Sequence, residues 1–201
     1  MDFTIPENLT MMVDTVRRFV KKDLEPISQQ VEDDDHIPDE IVAKMAELGL
    51  FGLSIPEEYG GLGIGVLGEC LVYEELSKVN ACFRTRIGTN NGIGSMGIYY
   101  DGTEEQKQNY LPRLAAGEWV SCFALSEPEA GSDAGNVQTT AVREGDHWVL
   151  NGLKHFITNG DVADMACVFA LTDKAKRAKG GITAFIVEKT DPGFFVGTIE
   201  R

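Results

Sequence analysis

Apolar and polar residues follow two different periods along this chain, and the change comes near Gly117. Before Gly117, apolar residues recur every three or four positions, which is the period of an amphipathic helix. The first run predicts a helix that ends ahead of Pro26. Its apolar face would be formed by Leu9, Met12, Val13, Val16, Phe19, Val20 and Leu24.

Four further helical segments are predicted before the change of period. One runs from Pro38 to Leu48 and another from about Val66 to Val79. A third, Ala81–Tyr100, is interrupted by glycines that would let a helix approach a neighbour closely. The fourth begins at Thr103-Glu104-Glu105-Gln106, which has the spacing of a capping box. Between the first two lies Gly52–Gly65, whose five glycines and one proline indicate a connector.

After Gly117, short runs rich in β-branched and aromatic residues alternate with turn residues, a pattern typical of strands. Gly145-Asp146 and Asn151-Gly152 have the composition of hairpin turns. These runs do not alternate with helices, which disfavours a Rossmann-type domain. Seven strands are predicted: Trp119–Leu125, Val137–Val142, Trp148–Leu150, Lys154–Thr158, Ala166–Leu171, Ile182–Val187 and Phe194–Gly197.

The predicted fold class is therefore α+β with two domains. Residues 1–118 would form an all-α helical domain, and residues 119–201 an antiparallel β-barrel or sandwich domain. The sequence ends at Arg201, immediately after Thr198-Ile199-Glu200, without anything that resembles a terminating element. We therefore expect the β-domain to be incomplete at its C-terminus.

The excess of acidic over basic residues limits the kinds of molecule that the protein is expected to bind. The chain has 18 Lys and Arg against 32 Asp and Glu, a net charge of −14. Such a surface repels phosphate backbones at long range, so we expect no binding to nucleic acid. A single anionic ligand in a locally basic pocket stays compatible with this charge.

Cysteine, histidine and hydropathy patterns point to an ordinary cytoplasmic protein. No segment approaches the ~20 consecutive apolar residues that span a bilayer, and residues 1–9 do not resemble a signal peptide. The cysteines are far apart and lie in apolar contexts, which indicates buried thiols in a reducing compartment. The three histidines show no metal-ligand spacing, so no metal site is expected.

Two stretches of the β-domain combine an apolar strand with a polar loop. In Cys122–Asp133, CFALSEPEAGSD, the loop offers hydroxyls and backbone N–H groups that suit a flat, apolar ligand with polar edges. In His155–Gly160, HFITNG, a strand ends at a glycine. Each stretch also has a simpler interpretation as an ordinary turn. In the second stretch, that interpretation places Phe156 in the core. The residues alone favour the simpler interpretation in both places.

Four motifs together resemble the acyl-CoA dehydrogenase family. FALSEPEAGSD is similar to that family's aromatic-rich strand followed by TEPGAGSD, and LNGLKHFITNG is similar to NGxKxWITNG. Upstream, GLSIPEEYGGLG and DGTEEQKQNYLPRLAAGEW resemble the family's connector and the last helix of its N-terminal domain. The four motifs occur in the family's order over essentially the whole chain.

The resemblance implies an FAD site between the β-domain and a C-terminal helical domain. The cofactor-binding residues that it implies are Phe123, Ala124, Leu125 and Ser126 from the first motif and Phe156, Ile157 and Thr158 from the second.

Individual positions carry further implications of the resemblance. Ser126 and Phe156 stand where Thr and Trp are usual, so a hydroxyl and an aromatic ring are kept. Thr158 would place its hydroxyl near flavin N5, and Ser132 would contact the phosphopantetheine side of an acyl-CoA substrate. Glu129 stands where Gly is usual.

The implied reaction is α,β-dehydrogenation of a CoA thioester, with electrons passed to electron-transferring flavoprotein by a homotetramer. In the family, a carboxylate of the C-terminal domain removes the α-proton while the β-hydride passes to flavin N5. No residue here matches the motif of that base, so we assign no catalytic residue and expect the base beyond Arg201. Glu127 and Asp133 are interpreted as residues that hold the loop through hydrogen bonds.

Arg84 and Arg86 lie where relatives usually have small apolar residues. They are two apart on a predicted helix and so face different directions. One of them, Arg84, is a candidate for the acyl pocket, where a buried guanidinium needs an anionic partner. A dicarboxylyl- or sulfinopropionyl-CoA would supply that partner. The simpler interpretation is a surface or intersubunit salt bridge.

Three alternatives to a dehydrogenase follow from these features. The first is a desulfinase-like relative that acts on an anionic, sulfinopropionyl-type acyl-CoA. The second is a truncated, non-catalytic chain that only binds partners. The third is an acyl-CoA oxidase, which would pass electrons to oxygen and release hydrogen peroxide. This fragment alone is expected to be inactive.

Overall fold

The computed structural model describes residues 4–199, and the chain divides into two compact units, Met1–Glu118 and Trp119–Arg201. The first unit contains helices and turns, and the second contains a β-sheet with turns around it. Within residues 4–199, every helix is too short or too polar to cross a bilayer.

The first unit is helical, as its apolar period predicts. A π-helical turn, Val20–Leu24, continues the first helix and leads through a 3-10 turn into the second. The α-helices of the described residues are α1 (Glu7–Phe19), α2 (Ser28–Asp34), α3 (Asp39–Glu47), α4 (Gly65–Leu76), α5 (Ala81–Asn91), α6 (Met96–Asp101) and α7 (Glu104–Ala115).

The apolar faces of these helices meet in one core. Fully burying a Leu, Ile, Phe or Met side chain stabilises a fold by about 1.5–3 kcal/mol, so this cluster is the main source of the unit's stability. Its buried members are Val16, Phe19, Val20, Leu24, Val31, Ile41, Met45, Leu50, Phe51, Leu53, Val72, Leu76, Phe83 and Ile87.

The capping box predicted at Thr103 is present. Its hydroxyl accepts a hydrogen bond from Gln106 N–H at 3.2 Å, and Gln106 Oε1 accepts one from Thr103 N–H at 2.9 Å. The connector Gly52–Gly65 also has the predicted character. It turns through a 3-10 segment, Glu57–Tyr59, and folds back on itself, since Ile64 N–H donates to Leu53 O at 2.9 Å.

Three details of the helical unit differ from the sequence prediction. Helix α2 was not predicted, because SQQVEDD carries a single apolar residue, Val31, and therefore shows no period. The predicted segment 81–100 divides into α5 and α6, because Gly92 leaves the helical conformation with φ −135° and ψ −107°. Cys70 is exposed on α4 and Cys82 is half-buried, so only Cys122 and Cys167 are core thiols.

In residues 119–199, the second unit contains one mixed sheet of five strands. The central strand β4 has six of its seven residues buried, which explains its continuous apolar sequence MACVFAL. Strand β1 pairs with β4 in parallel, β5 pairs with it antiparallel, and β2 joins it in parallel at Thr140 opposite Leu171. The strands are β1 (Ser121–Ala124), β2 (Thr140–Glu144), β3 (His147–Asn151), β4 (Met165–Leu171) and β5 (Ile182–Glu188), with β2 and β3 forming an antiparallel hairpin.

An α+β fold with a helical unit followed by a β unit is thus confirmed, but the sheet is mixed rather than purely antiparallel. Two of the seven predicted strands are not strands. Residues 154–158 cannot extend a ladder, because Phe156 has a left-handed backbone with φ 55°. Residues 194–197 follow a turn at Gly193, and Phe195 is 82% exposed instead of packing on a sheet.

Candidate functional site

The first motif begins on a buried strand and continues into a tight turn. Phe123 of β1 packs against Phe169 of β4 with ring centroids 4.9 Å apart, and Ala124 is buried beside it. Leu125 and Ser126 then leave the strand, both half-buried. The motif therefore places an apolar strand end next to a hydroxyl.

The turn after this strand end is held by its own backbone. Glu127 N–H donates to Ala130 O at 2.9 Å, and Ala130 N–H donates to Glu127 O at 3.1 Å. Pro128 and Glu129 form the exposed tip. Glu129 has a negative φ, so the replacement of the family's usual glycine causes no backbone strain here. Ser132, the predicted substrate contact, follows this turn and is exposed.

The second motif lies directly against the first. His155 N–H donates to Ser126 O at 2.9 Å, and Ile157 packs on the core cluster that contains Ala124. The two predicted segments therefore converge. We refer to residues 123–126 and 156–158 together as the cradle.

Phe156 presents an aromatic ring to the outside of this cradle. Its side chain is 73% exposed, and its ring stacks on His155 with centroids 3.9 Å apart. A left-handed φ is costly for a residue with a bulky side chain, and such strain concentrates at functional sites. Because the Phe156 side chain is exposed, the interpretation of this residue as part of the core is wrong. Thr158 is exposed beside it.

A buried ion pair that contacts the backbone of the cradle was not predicted. The Lys154 ammonium donates to Glu127 Oε1 at 2.7 Å, to Phe169 O at 2.7 Å and to Leu125 O at 3.1 Å. The two charged side chains are only 12% and 3% exposed. We refer to Lys154, Glu127 and these two carbonyl groups as the clasp. The one sequence signal for the clasp is a lysine inside a short apolar run. Such a lysine is easily interpreted as a strand residue that faces solvent.

The Glu127 carboxylate accepts hydrogen bonds from three donors, in agreement with the prediction that it holds the loop. Its Oε1 also accepts from Thr139 N–H at 3.0 Å, and its Oε2 accepts from Gln138 N–H at 2.5 Å. Burial alone would raise the pKa of Glu127, but the bonds from Lys154 and from these amides outweigh it and hold the pKa at about 2. Burial lowers the pKa of Lys154, and Glu127 opposes that shift.

Arg84 and Arg86 face different directions on α5, as their spacing predicts. Arg84 is exposed and its guanidinium lies over the Tyr73 ring, 4.6 Å from the centroid, while Arg86 is half-buried. Burial raises the pKa of the nearby Glu69, and the charge of Arg84 acts in the opposite direction. Burial also raises the pKa of Tyr73 to about 12, so this phenol is neutral. No group of three or more candidate metal ligands occurs among residues 4–199.

Two family models match nearly the whole chain. The N-terminal domain of acyl-CoA dehydrogenase matches residues 6–118, and the middle domain of acyl-CoA dehydrogenase matches residues 122–201. The chain belongs to the acyl-CoA dehydrogenase family. Members of this family are FAD-dependent oxidoreductases, so the family and cofactor class predicted from the four motifs are confirmed.

Curated relatives agree with this assignment. The chain is 42% identical to an acyl-CoA dehydrogenase of Bacillus subtilis, over 98% of this chain and 52% of the relative. It is 43% identical to a short-chain specific acyl-CoA dehydrogenase of Clostridium acetobutylicum, over 100% of this chain and 53% of the relative. The chain thus spans about half the length of these relatives.

Solved structures of the family superpose closely. A chain in a structure described as the electron transferring flavoprotein of Acidaminococcus fermentans has a TM-score of 0.95 and 45% identity, covering all of this chain and 53% of that one. Butyryl-CoA dehydrogenase from Megasphaera elsdenii has a TM-score of 0.93 and 36% identity, with the same coverage. A glutaryl-CoA dehydrogenase solved with glutaryl-CoA has a TM-score of 0.93 and 37% identity, covering 100% and 52%.

Proposed function

We propose that this chain supplies one side of the flavin site of an FAD-dependent acyl-CoA dehydrogenase that oxidises the Cα–Cβ bond of a CoA thioester. The observation that carries the proposal is the hydrogen bond from His155 N–H to Ser126 O, 2.9 Å long. It joins the two motifs whose residues would line the isoalloxazine ring.

The cradle fits a flat, mostly apolar ring with polar edges. Ala124, Leu125 and Ile157 offer apolar side chains, while Ser126 and Thr158 offer hydroxyl groups. The exposed Phe156 ring offers a surface on which a flat aromatic ring can stack. Bound FAD would supply the hydride acceptor. The residues of this chain would orient the ring, keep water from one side of it and donate hydrogen bonds to its edge.

We assign no catalytic base within residues 4–199. Glu127 is the acidic residue nearest the cradle in sequence, but a carboxylate with a pKa of about 2 is too weak a base to remove an α-proton. Its three hydrogen bonds all come from donors inside the fold, and its side chain is only 3% exposed. Its structure supports a role in holding the loop.

The remaining partners are proposed on the strength of the family. We propose an acyl-CoA substrate contacted by Ser132. We also propose electron-transferring flavoprotein as the electron acceptor, because a structure described as that flavoprotein contains a chain that matches this one with a TM-score of 0.95. We also propose a homotetramer in the cytoplasm. The free state of all four cysteines supports a reducing compartment.

Replacing Phe156 tests the proposal with a matched control. In the natural full-length protein, Phe156→Ala should weaken FAD binding roughly tenfold, because it removes an aromatic stacking surface. Phe195→Ala removes a ring of the same unit that is also exposed, 82% against 73%, and lies outside the cradle, so it should leave FAD affinity unchanged. Quenching of flavin fluorescence on titration of the apoprotein measures both. Equal FAD affinities for the two variants would overturn the proposal.

A second candidate function is oxidation or desulfination of an anionic acyl-CoA. The exposed guanidinium of Arg84 supports it, as does the likeness to a glutaryl-CoA dehydrogenase. Against it, Arg84 already contacts Tyr73 and interacts with Glu69.

Arg84→Ala separates the two candidates. If Arg84 binds an anionic tail, the variant should lose kcat/KM about tenfold or more on glutaryl-CoA and much less on butyryl-CoA, because only the former offers a second charge. Equal losses on both substrates would end the anionic-tail hypothesis. Release of hydrogen peroxide during turnover would instead identify an oxidase.

A further inference from the structure

We propose that Lys154 and Glu127 are positioning residues that set the orientation of the Leu125–Ser126 peptide group and thereby the affinity and geometry of the flavin site. The proposal rests on the function proposed above, since it concerns the same cradle. Lys154 would act on the cradle through the carbonyl group of Leu125, and Glu127 would act through Lys154.

The clasp fills a gap in the sheet. Strand β1 pairs with β4 only as far as Val168, and β2 joins the same edge of β4 only at Leu171. Phe169 lies between these two pairings, so its carbonyl group has no strand partner on that edge. The Lys154 ammonium donates to this carbonyl at 2.7 Å. A long side chain thus takes the place of a missing ladder bond, at the point where β1 ends and the cradle begins.

The stoichiometry of the clasp is complete. An ammonium group has three N–H donors and no acceptor. The three acceptors around Lys154 are the carbonyls of Leu125 and Phe169 and the carboxylate of Glu127. A buried charge is tolerated only when it is paired and hydrogen-bonded, and here both conditions are met. No neutral side chain can donate three hydrogen bonds from one atom, which favours lysine at this position.

The clasp controls Ser126 through peptide planarity. The C=O of Leu125 and the N–H of Ser126 belong to one trans peptide and therefore point in opposite directions. When Lys154 holds the carbonyl at 3.1 Å, the direction of Ser126 N–H is fixed as well. The next carbonyl, Ser126 O, is held by His155 N–H, the residue adjacent to Lys154. Two successive peptide groups of the first motif are thus oriented by two successive residues of the second.

Glu127 completes the control by fixing the lysine. Its carboxylate is held in turn by Gln138 and Thr139 N–H groups that lead into β2. The ammonium therefore sits between three parts of the sheet, β1, β2 and β4. A substitution at Lys154 or Glu127 should therefore change the backbone orientation of the cradle without removing a side chain that contacts the flavin.

The test measures FAD affinity and the visible circular dichroism of bound flavin in the natural full-length protein. Lys154→Met keeps the length of the side chain and removes its donors. We expect a rise in the FAD dissociation constant of about tenfold or more, because hydrogen bonds to a charged group are lost. We also expect a changed flavin dichroism. Lys189→Met, the same substitution at an exposed lysine of the same unit, should change neither.

A stability reference separates positioning from general unfolding. Met165→Ala removes a fully buried side chain of β4 that makes no bond to the clasp. If Lys154→Met weakens FAD no more than Met165→Ala does at an equal loss of thermal stability, the proposal is wrong. Should Lys154→Met fail to fold, Glu127→Gln keeps the shape of its side chain, removes its charge and replaces one acceptor oxygen by a donor. A folded Glu127→Gln protein with wild-type FAD affinity and dichroism would also overturn the proposal.

The two proposals fail in different ways. If Phe156→Ala weakens FAD binding but Lys154→Met does not, only the positioning role is contradicted. If Lys154→Met and Phe156→Ala both leave FAD affinity unchanged, the cradle itself is not a flavin site.

Discussion

At the scale of single residues, the buried pair of Lys154 and Glu127 is bonded directly to the backbone of the cradle. Glu127 is a carboxylate of the kind that often acts as a catalytic base, but its surroundings are those of a residue that stabilises the fold. Three donors surround it, and its pKa is held at about 2 although its side chain is 3% exposed. The same environment that makes it a poor base makes it a strong partner for Lys154.

This environment predicts a specific dependence of stability on pH. A carboxylate whose pKa falls from 4.5 to about 2 on folding stabilises the fold at pH values above 4.5, and that contribution is lost as the pH falls toward 2. The difference in melting temperature between wild type and Glu127→Gln should therefore be constant from pH 7 to about 5 and shrink below pH 4.5. Thermal melts at several pH values measure it. An undiminished difference at pH 2.5 would contradict the account.

At the scale of elements, periodicity located most helices and strands, while backbone conformation decided the exceptions. Helix α3 and the capping box at Thr103 followed from the sequence, because both depend on local spacing. The segment 154–158 looks like a strand, yet Phe156 adopts φ 55°, which no alternation pattern encodes. The parallel pairing of β1 with β4 was also beyond prediction, since the two strands are about forty residues apart and no hairpin turn constrains them.

The candidate site could likewise be predicted from the sequence only in part. The two motifs could be located from their residues and from the family resemblance. That they meet through Ser126 and His155 depends on tertiary structure. The clasp was missed for a physical reason, since a lysine reads as a surface residue unless three acceptors converge on it. Sequence spacing does not report such convergence.

At the scale of the whole molecule, the chain carries the N-terminal and middle domains of its family and about half the length of its curated relatives. Each unit has a core of its own, and the cradle and clasp lie entirely within residues 119–201. The net charge of −14 is compatible with an anionic CoA ligand only where local groups offset it.

The central claim is that the two segments of the cradle bind one edge of a single flavin ring. A crystal structure of the natural full-length protein with FAD tests it most directly. We expect the isoalloxazine ring to lie against Phe156, with polar ring atoms within hydrogen-bond distance, about 3.5 Å or less, of both Ser126 and Thr158. A ring that contacts neither residue, or only one of the two segments, would contradict it.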